Sequence, residues 1–153
     1  MTKVVILDAG PLGAVTHPRA NSNSEIKEWL QALLRAGCVV IVPEIADYEI
    51  RRELLRAEKA KGVERLDALK AVGYLPLSTN AMLKAAQYWA QARQEGLPTA
   101  SDDALDADVV LAAQAIVLDN SSNNDVVVVT ANVGHLSRFV RAKLWKDIRP
   151  EDC

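Results

Sequence analysis

The chain is poor in the residues that mark the commoner special-purpose proteins. Its two cysteines, Cys38 and Cys153, make neither a disulfide framework nor a C-x-x-C pair. Such usage points to a reducing, cytoplasmic setting, with Cys38 as a small buried hydrophobe. The two histidines, His17 and His135, have no H-x-H, H-E-x-x-H or cysteine partner, which excludes the usual zinc sites. Aromatic residues are 5% of the chain, and Trp29, Trp89 and Trp145 form no stacking-platform pattern; they read as core or interface. Charge of one sign is lacking too. A net charge of -2 argues against nucleic-acid binding through overall positive charge, though not against a local basic patch. Long apolar runs are absent. Val4–Leu7 is too short for a signal-peptide core, and Val109–Leu118 falls well below a membrane span and is interrupted by Gln114. A soluble protein with no membrane partner is expected. No G-x-x-x-x-G-K-[ST] phosphate loop occurs.

What is present is an alternation of short β-branched runs with longer helical patterns. Lys3–Leu7, Cys38–Val42 and Val126–Val129 read as buried strands, with Tyr74–Leu77 and Ala142–Trp145 as short ones. Helices are expected from Asn23 or Ser24 to Ala36, from Pro43 onward, over Val63–Val72, and from Thr79 or Asn80 to near Gly96. Another follows a cap at Ser101-Asp102-Asp103 and ends before a turn at Asn120–Asn124; a short one spans Val133–Val140. Continuous apolar strands between helices imply a sheet covered on both faces. The fold class is α/β: one three-layer α/β/α, Rossmann-like domain over residues 1–149 with a mainly parallel sheet, and a tail at 150–153.

One aspartate stands out. Helical spacing puts Leu111, Ala112 and Ala115 at i+3, i+4 and i+7 from Asp108, so its carboxylate lies on an apolar stripe. A buried carboxylate needs a partner, and no Lys or Arg is placed nearby in sequence to neutralise it together with Asp8 and Glu49. Asp8 ends the first strand, where open parallel sheets bind ligands, and Thr130-Ala131-Asn132 ends the Val126–Val129 strand. Glu49 lies two turns into the segment after the second strand. The order permits three carboxylates and a carboxamide to meet at one rim. Hard oxygen ligands suit Mg²⁺ or Mn²⁺, and the matching chemistry is metal-assisted hydrolysis.

The ordered segments Leu7-Asp8-Ala9-Gly10-Pro11-Leu12, Pro43 followed by Glu49, Asp108–Ala115 and Val128-Val129-Thr130-Ala131-Asn132 resemble the successive motifs of PIN domains, and together they cover nearly the whole chain. The resemblance implies a Mg²⁺- or Mn²⁺-dependent ribonuclease, similar to the toxin of VapBC toxin–antitoxin pairs. It implies Asp8, Glu49 and Asp108 as metal-binding acids, with Thr130 orienting Asp8 or a metal-bound water. The fourth position, often Asp in the family, is Asn132. Implied partners are RNA and an antitoxin. The apolar helices on either side of Gly73 suit a homodimer.

Each residue has a plainer role beside this one. Asp8 suits a strand-ending turn, Asn132 a helix N-cap, and Asp102, Asp103 and Asp106 a first-turn cap and dipole set. Asp47, Glu53 and Glu58 read as solvated surface, and His135 as structural. Arg51, Arg52 and Arg56, with Lys59 and Lys61, cluster beyond Glu49 and are the candidate RNA contacts. A second basic group comprises Arg138, Arg141, Lys143, Lys146 and Arg149. Two other functions compete with the ribonuclease: a non-catalytic RNA-binding or regulatory module, and a different metal-dependent phosphohydrolase. An aspartyl-nucleophile enzyme of the latter kind wants a second acid two residues after Asp8, where Gly10 sits.

Overall fold

Runs of valine and isoleucine too short for helices build the sheet. The computed structural model describes residues 3–18, 24–96, 102–121 and 124–153. Among these, β1 (Lys3–Leu7), β2 (Val39–Pro43), β3 (Tyr74–Leu75), β4 (Asp125–Val129) and β5 (Ala142–Lys143) pair in the order β3-β2-β1-β4-β5. Every pairing is parallel, with Val5 opposite Val40 on one side and Val127 on the other. The helices are α1 (Ala9–Thr16), α2 (Ser24–Arg35), α3 (Glu44–Arg56), α4 (Ala60–Val72), α5 (Thr79–Gln94), α6 (Asp102–Ser121) and α7 (Val133–Leu136).

Strand alternation sends side chains to two cores. Val5, Leu7, Val40, Val42, Val127 and Val129 pack with Leu12 of α1, Leu33 of α2 and Leu66 of α4. Val4, Ile6, Val126 and Val128 pack instead with Leu111, Ala112 and Ala115 of α6 and Leu136 of α7. Helix α5 lies on the outer side of α6, joined by Ala81, Ala85, Leu105, Val109 and Ala113. The fold is therefore the expected three-layer α/β/α, with all strands parallel.

Three departures from expectation have physical causes. Helix α1 carries two glycines and a proline in eight residues, so it shows no helical signal. It forms because Asp8 caps it and Pro11 falls in the first turn, where no N–H is needed. A Cβ at Gly13 would stand 3.2 Å from Ile50, so the glycine lets α1 close on α3. The last strand stops at Lys143, because Trp145–Asp147 turns into a 3₁₀ helix that sets the Trp145 ring 5.7 Å from that of Trp29. The helix expected over Val133–Val140 ends at Leu136.

The cysteines require a correction. Cys38 and Cys153 form a disulfide, with Cα atoms 5.0 Å apart and 115 residues between them in sequence. Such a separation leaves no spacing signature. The pairing follows from docking of the last residues on α2, where Trp29 Nε1 donates to the Ile148 carbonyl at 2.7 Å. Residues 150–152 form a 3₁₀ turn there. Cysteine usage thus gives no argument for a reducing compartment. Among the described residues, no helix is long and apolar enough to cross a membrane. The expected cap residue Ser101, the side chains of Asp102 and Asp103, and residues 122–123 of the expected 120–124 turn lie outside the described residues; α6 runs on to Ser121.

Candidate active site

The strand order reverses between β1 and β4, which places a crevice at their carboxyl ends. Asp8 follows β1 and Thr130 follows β4, and Asp8 N donates to the Val129 carbonyl at 2.9 Å. The Asp8 carboxylate is held by two hydrogen bonds. Oδ1 accepts from Ala9 N at 2.7 Å, capping α1, and Oδ2 accepts from Thr130 Oγ1 at 2.7 Å. Thr130 is 1% exposed, and its hydroxyl also accepts from Asn132 N at 2.9 Å. A single buried hydroxyl therefore fixes both the acid and the turn that carries Asn132. Asn132 stands at the N-cap position of α7, but its side chain makes no cap hydrogen bond. Its exposed amide is left at the rim.

Asp108 lies where the sequence pattern placed it. Leu111, Ala112 and Ala115 on its face are at most 2% exposed, and the Asp108 side chain is 18% exposed. Its pKa is pushed up to about 6, first by burial and then by the charge of Asp8, against the pull of His135 and Arg138. His135 Nδ1 is 3.8 Å from Asp108 Oδ2. His135 and Arg138 are thus the neighbours that pull against the rise at Asp108, a proximity that the linear sequence conceals. Their signal is position alone: α7 starts right after Asn132 and leans on α6.

Glu49 projects from α3, half-buried. Burial raises its pKa, Asp8 raises it further, Arg52 opposes, and Asp108 adds a smaller upward push. The three acids share one electrostatic field with Asp8 as the common neighbour. They do not close into a ligand shell: among the described residues no group of three His, Cys, Asp or Glu side chains is placed to hold a metal ion. Relative placement of α3 and α6 is set partly by Gln114. This residue, 2% exposed, donates to the Leu75 carbonyl at 2.9 Å and accepts a longer bond from Ile45 N at 3.4 Å. An interruption of an apolar run is in fact the tie between the helix bearing Asp108 and the one bearing Glu49.

The arginines beyond Glu49 separate into different roles. Arg51 donates to Asp47 at 2.9 Å and to Asp67 at 2.6 Å, tying α3 to α4. Asp47 is 7% exposed and also faces Lys70, so it is a buried structural acid and not solvated surface. Arg56 pairs with Glu53 on the exposed side of α3. Arg52 alone of the three is coupled to Glu49. In the second basic group, Arg141 pairs with Asp125 and Arg149 with Asp152.

No protein-family model and no curated protein matches the sequence. Solved structures do match the fold. VapBC2 from Rickettsia felis, bound to a DNA fragment from its promoter, aligns with a TM-score of 0.70 at 14% identity, covering 93% of this chain and 98% of that one. FitAcB from Neisseria gonorrhoeae aligns at 0.68 with 21% identity, over 94% and 99%. VapBC-1 from nontypeable Haemophilus influenzae aligns at 0.64 with 13% identity, over 94% and 99%. The fold is PIN-like. The likeness covers 93–94% of the chain, so it is a likeness of the whole fold.

Proposed function

We propose that the chain is a Mg²⁺- or Mn²⁺-dependent endoribonuclease, the toxin of a VapBC-like toxin–antitoxin pair. The observation that carries this reading is the field shared by Asp8, Glu49 and Asp108 at the topological switch point, with two of these acids shifted upward by burial and by one another. At Glu49 and Asp108 burial and the neighbouring acids outweigh the nearby basic side chains, and oxygen donors suit a hard divalent cation. Asp8, Glu49 and Asp108 would hold the ion; when bound, it supplies a Lewis acid and an activated water for phosphodiester hydrolysis. Thr130 locks the Asp8 rotamer, Asn132 offers an uncharged donor and acceptor at the rim, and His135 steadies Asp108.

The test is cleavage of a panel of structured RNAs in Mn²⁺ by the wild-type protein and by Asp108→Asn. A loss of about 100-fold or more is expected on removing one ligand charge, with the fold retained. Equal cleavage by both proteins overturns the reading. One observation favours the non-catalytic RNA-binding alternative, namely that the acids as they stand do not surround an ion. Metal-dependent melting, described below, separates the two.

Partner surfaces fit the same reading. The fold neighbours are VapBC and FitAB assemblies, which supports an antitoxin partner. A groove of about 560 Å³ between α1, α2 and α4 has Val15, Leu30, Leu34 and Leu69 on its walls and Arg65 beside them. Such a surface suits an amphipathic acidic helix. The homodimer is assigned to the exposed apolar face of α5, which carries Met82, Leu83 and Trp89; sedimentation of the wild type beside Leu83→Glu checks it.

A further inference from the structure

Between α3 and α6, a hollow of about 270 Å³ opens beside Glu49, one of the candidate acids. Its walls are Ile45, Tyr48, Glu49 and Arg52 from α3, and Asp106, Ala107 and Val110 from α6. Tyr48 is 57% exposed. The Arg52 guanidinium lies over that ring, 5.0 Å from its centroid. The pair is at i, i+4 spacing, so both side chains project over the same wall as Glu49.

The chemistry of the hollow is selective. An exposed aromatic face takes a planar, uncharged ring, since stacking needs only a π-surface. Glu49 and Asp106 disfavour a phosphate inside but accept hydrogen bonds from the N–H groups of a base edge. Arg52 is the cation in the lining and suits the phosphate that follows the base. A paired base has both faces covered by its neighbours, so only an unpaired one can reach Tyr48. We propose that this hollow is a subsite for one unpaired nucleobase beside the scissile phosphodiester, stacked on Tyr48 while Arg52 holds the adjoining phosphate. The proposal rests on the ribonuclease reading for what lies next to it, but binding and cleavage are measured apart.

The experiment is fluorescence anisotropy in EDTA, where no metal-dependent cleavage proceeds. The probes are a labelled, sequence-randomised single strand of about 12 nucleotides, within the usual range for such sites, and a duplex of the same length. Tyr48→Ala is expected to weaken single-strand binding roughly tenfold and to leave duplex binding within about twofold. Tyr48→Phe keeps the stacking face and the affinity. Arg52→Gln weakens both and lowers the slope of log affinity against log salt by about one. Equal affinity of Tyr48→Ala and wild type for the single strand overturns the subsite. So does an equal loss on the duplex, failure of the wild type to bind the single strand, or a change confined to self-association, which would mean a second copy covers the ring. If binding depends on Tyr48 but no RNA is cleaved in Mn²⁺, the subsite stands and the ribonuclease reading falls. If cleavage is lost in Asp108→Asn while binding ignores Tyr48, the reverse holds.

Discussion

Asp47 and Glu49 are two residues apart on one helix and face opposite surroundings. Asp47 is buried, but it accepts two hydrogen bonds from Arg51 and lies 3.8 Å from Lys70. Glu49 is less buried, yet its pKa is raised, because burial and two other acids outweigh Arg52. The same divide separates Arg51, committed to carboxylates on α3 and α4, from Arg52, which lies over an exposed ring. Burial of a charge does not mark a functional group. Burial without a compensating partner does.

The sharpest way to break this comparison is a metal titration followed by melting. Mn²⁺ at about 100 times its Kd stabilises by about 2.7 kcal/mol, which raises the melting temperature by about 5–10 °C for a chain of this size. The rise is expected in wild type and in Asp47→Ala and is expected to vanish in Asp108→Asn. Identical wild-type curves in EDTA and Mn²⁺ would favour the non-catalytic module.

Removing the paired acid should cost more stability than removing the unpaired one. Asp47→Ala leaves Arg51 and Lys70 without their shared carboxylate. Because those partners are 26% and 30% exposed, we expect a loss of about 2 kcal/mol rather than the full penalty of a sealed pair. That is a fall of about 4–8 °C. Glu49→Gln should leave the melting temperature level or raise it, since it removes a repelling charge. Denaturant unfolding of the two variants decides the matter, and a larger loss in Glu49→Gln would invert the comparison.

The smallest effect is in pH dependence without metal. Asp108 binds its proton more tightly folded, at about 6, than at its usual 3.8. Its contribution to stability is therefore fully present below about pH 4 and is lost as the pH rises through about 6. Asp108→Asn should flatten the stability curve in that window. Melts in EDTA across the window give the measurement.

Much of the site was legible because its signals are local. Asp8 ends an apolar strand, Asp108 interrupts an apolar helical stripe, and Thr130 and Asn132 close the most valine-rich strand. The contacts of His135 and Gln114 were not legible, since each is set between elements. Helix α1 stayed hidden for a different reason: its glycines and proline contradict helical propensity, and an end cap and packing against α3 override them.

By itself, then, the sequence determined the layered α/β architecture, the parallel sheet, and the positions of Asp8 at a strand end and Asp108 on an apolar stripe, because hydrophobic period and strand ends are properties of neighbours along the chain. Only the tertiary structure decided which charges are neutralised. Asp47 has Arg51 at i, i+4 on its own helix and gains Lys70 from the position of α4, whereas the positions of Asp8 and α6 leave Glu49 among acids. The same is true of Cys38 and Cys153, joined across 115 residues by the way the last turn docks on α2. Side-chain partnership across elements depends on distance in space, which linear spacing does not encode.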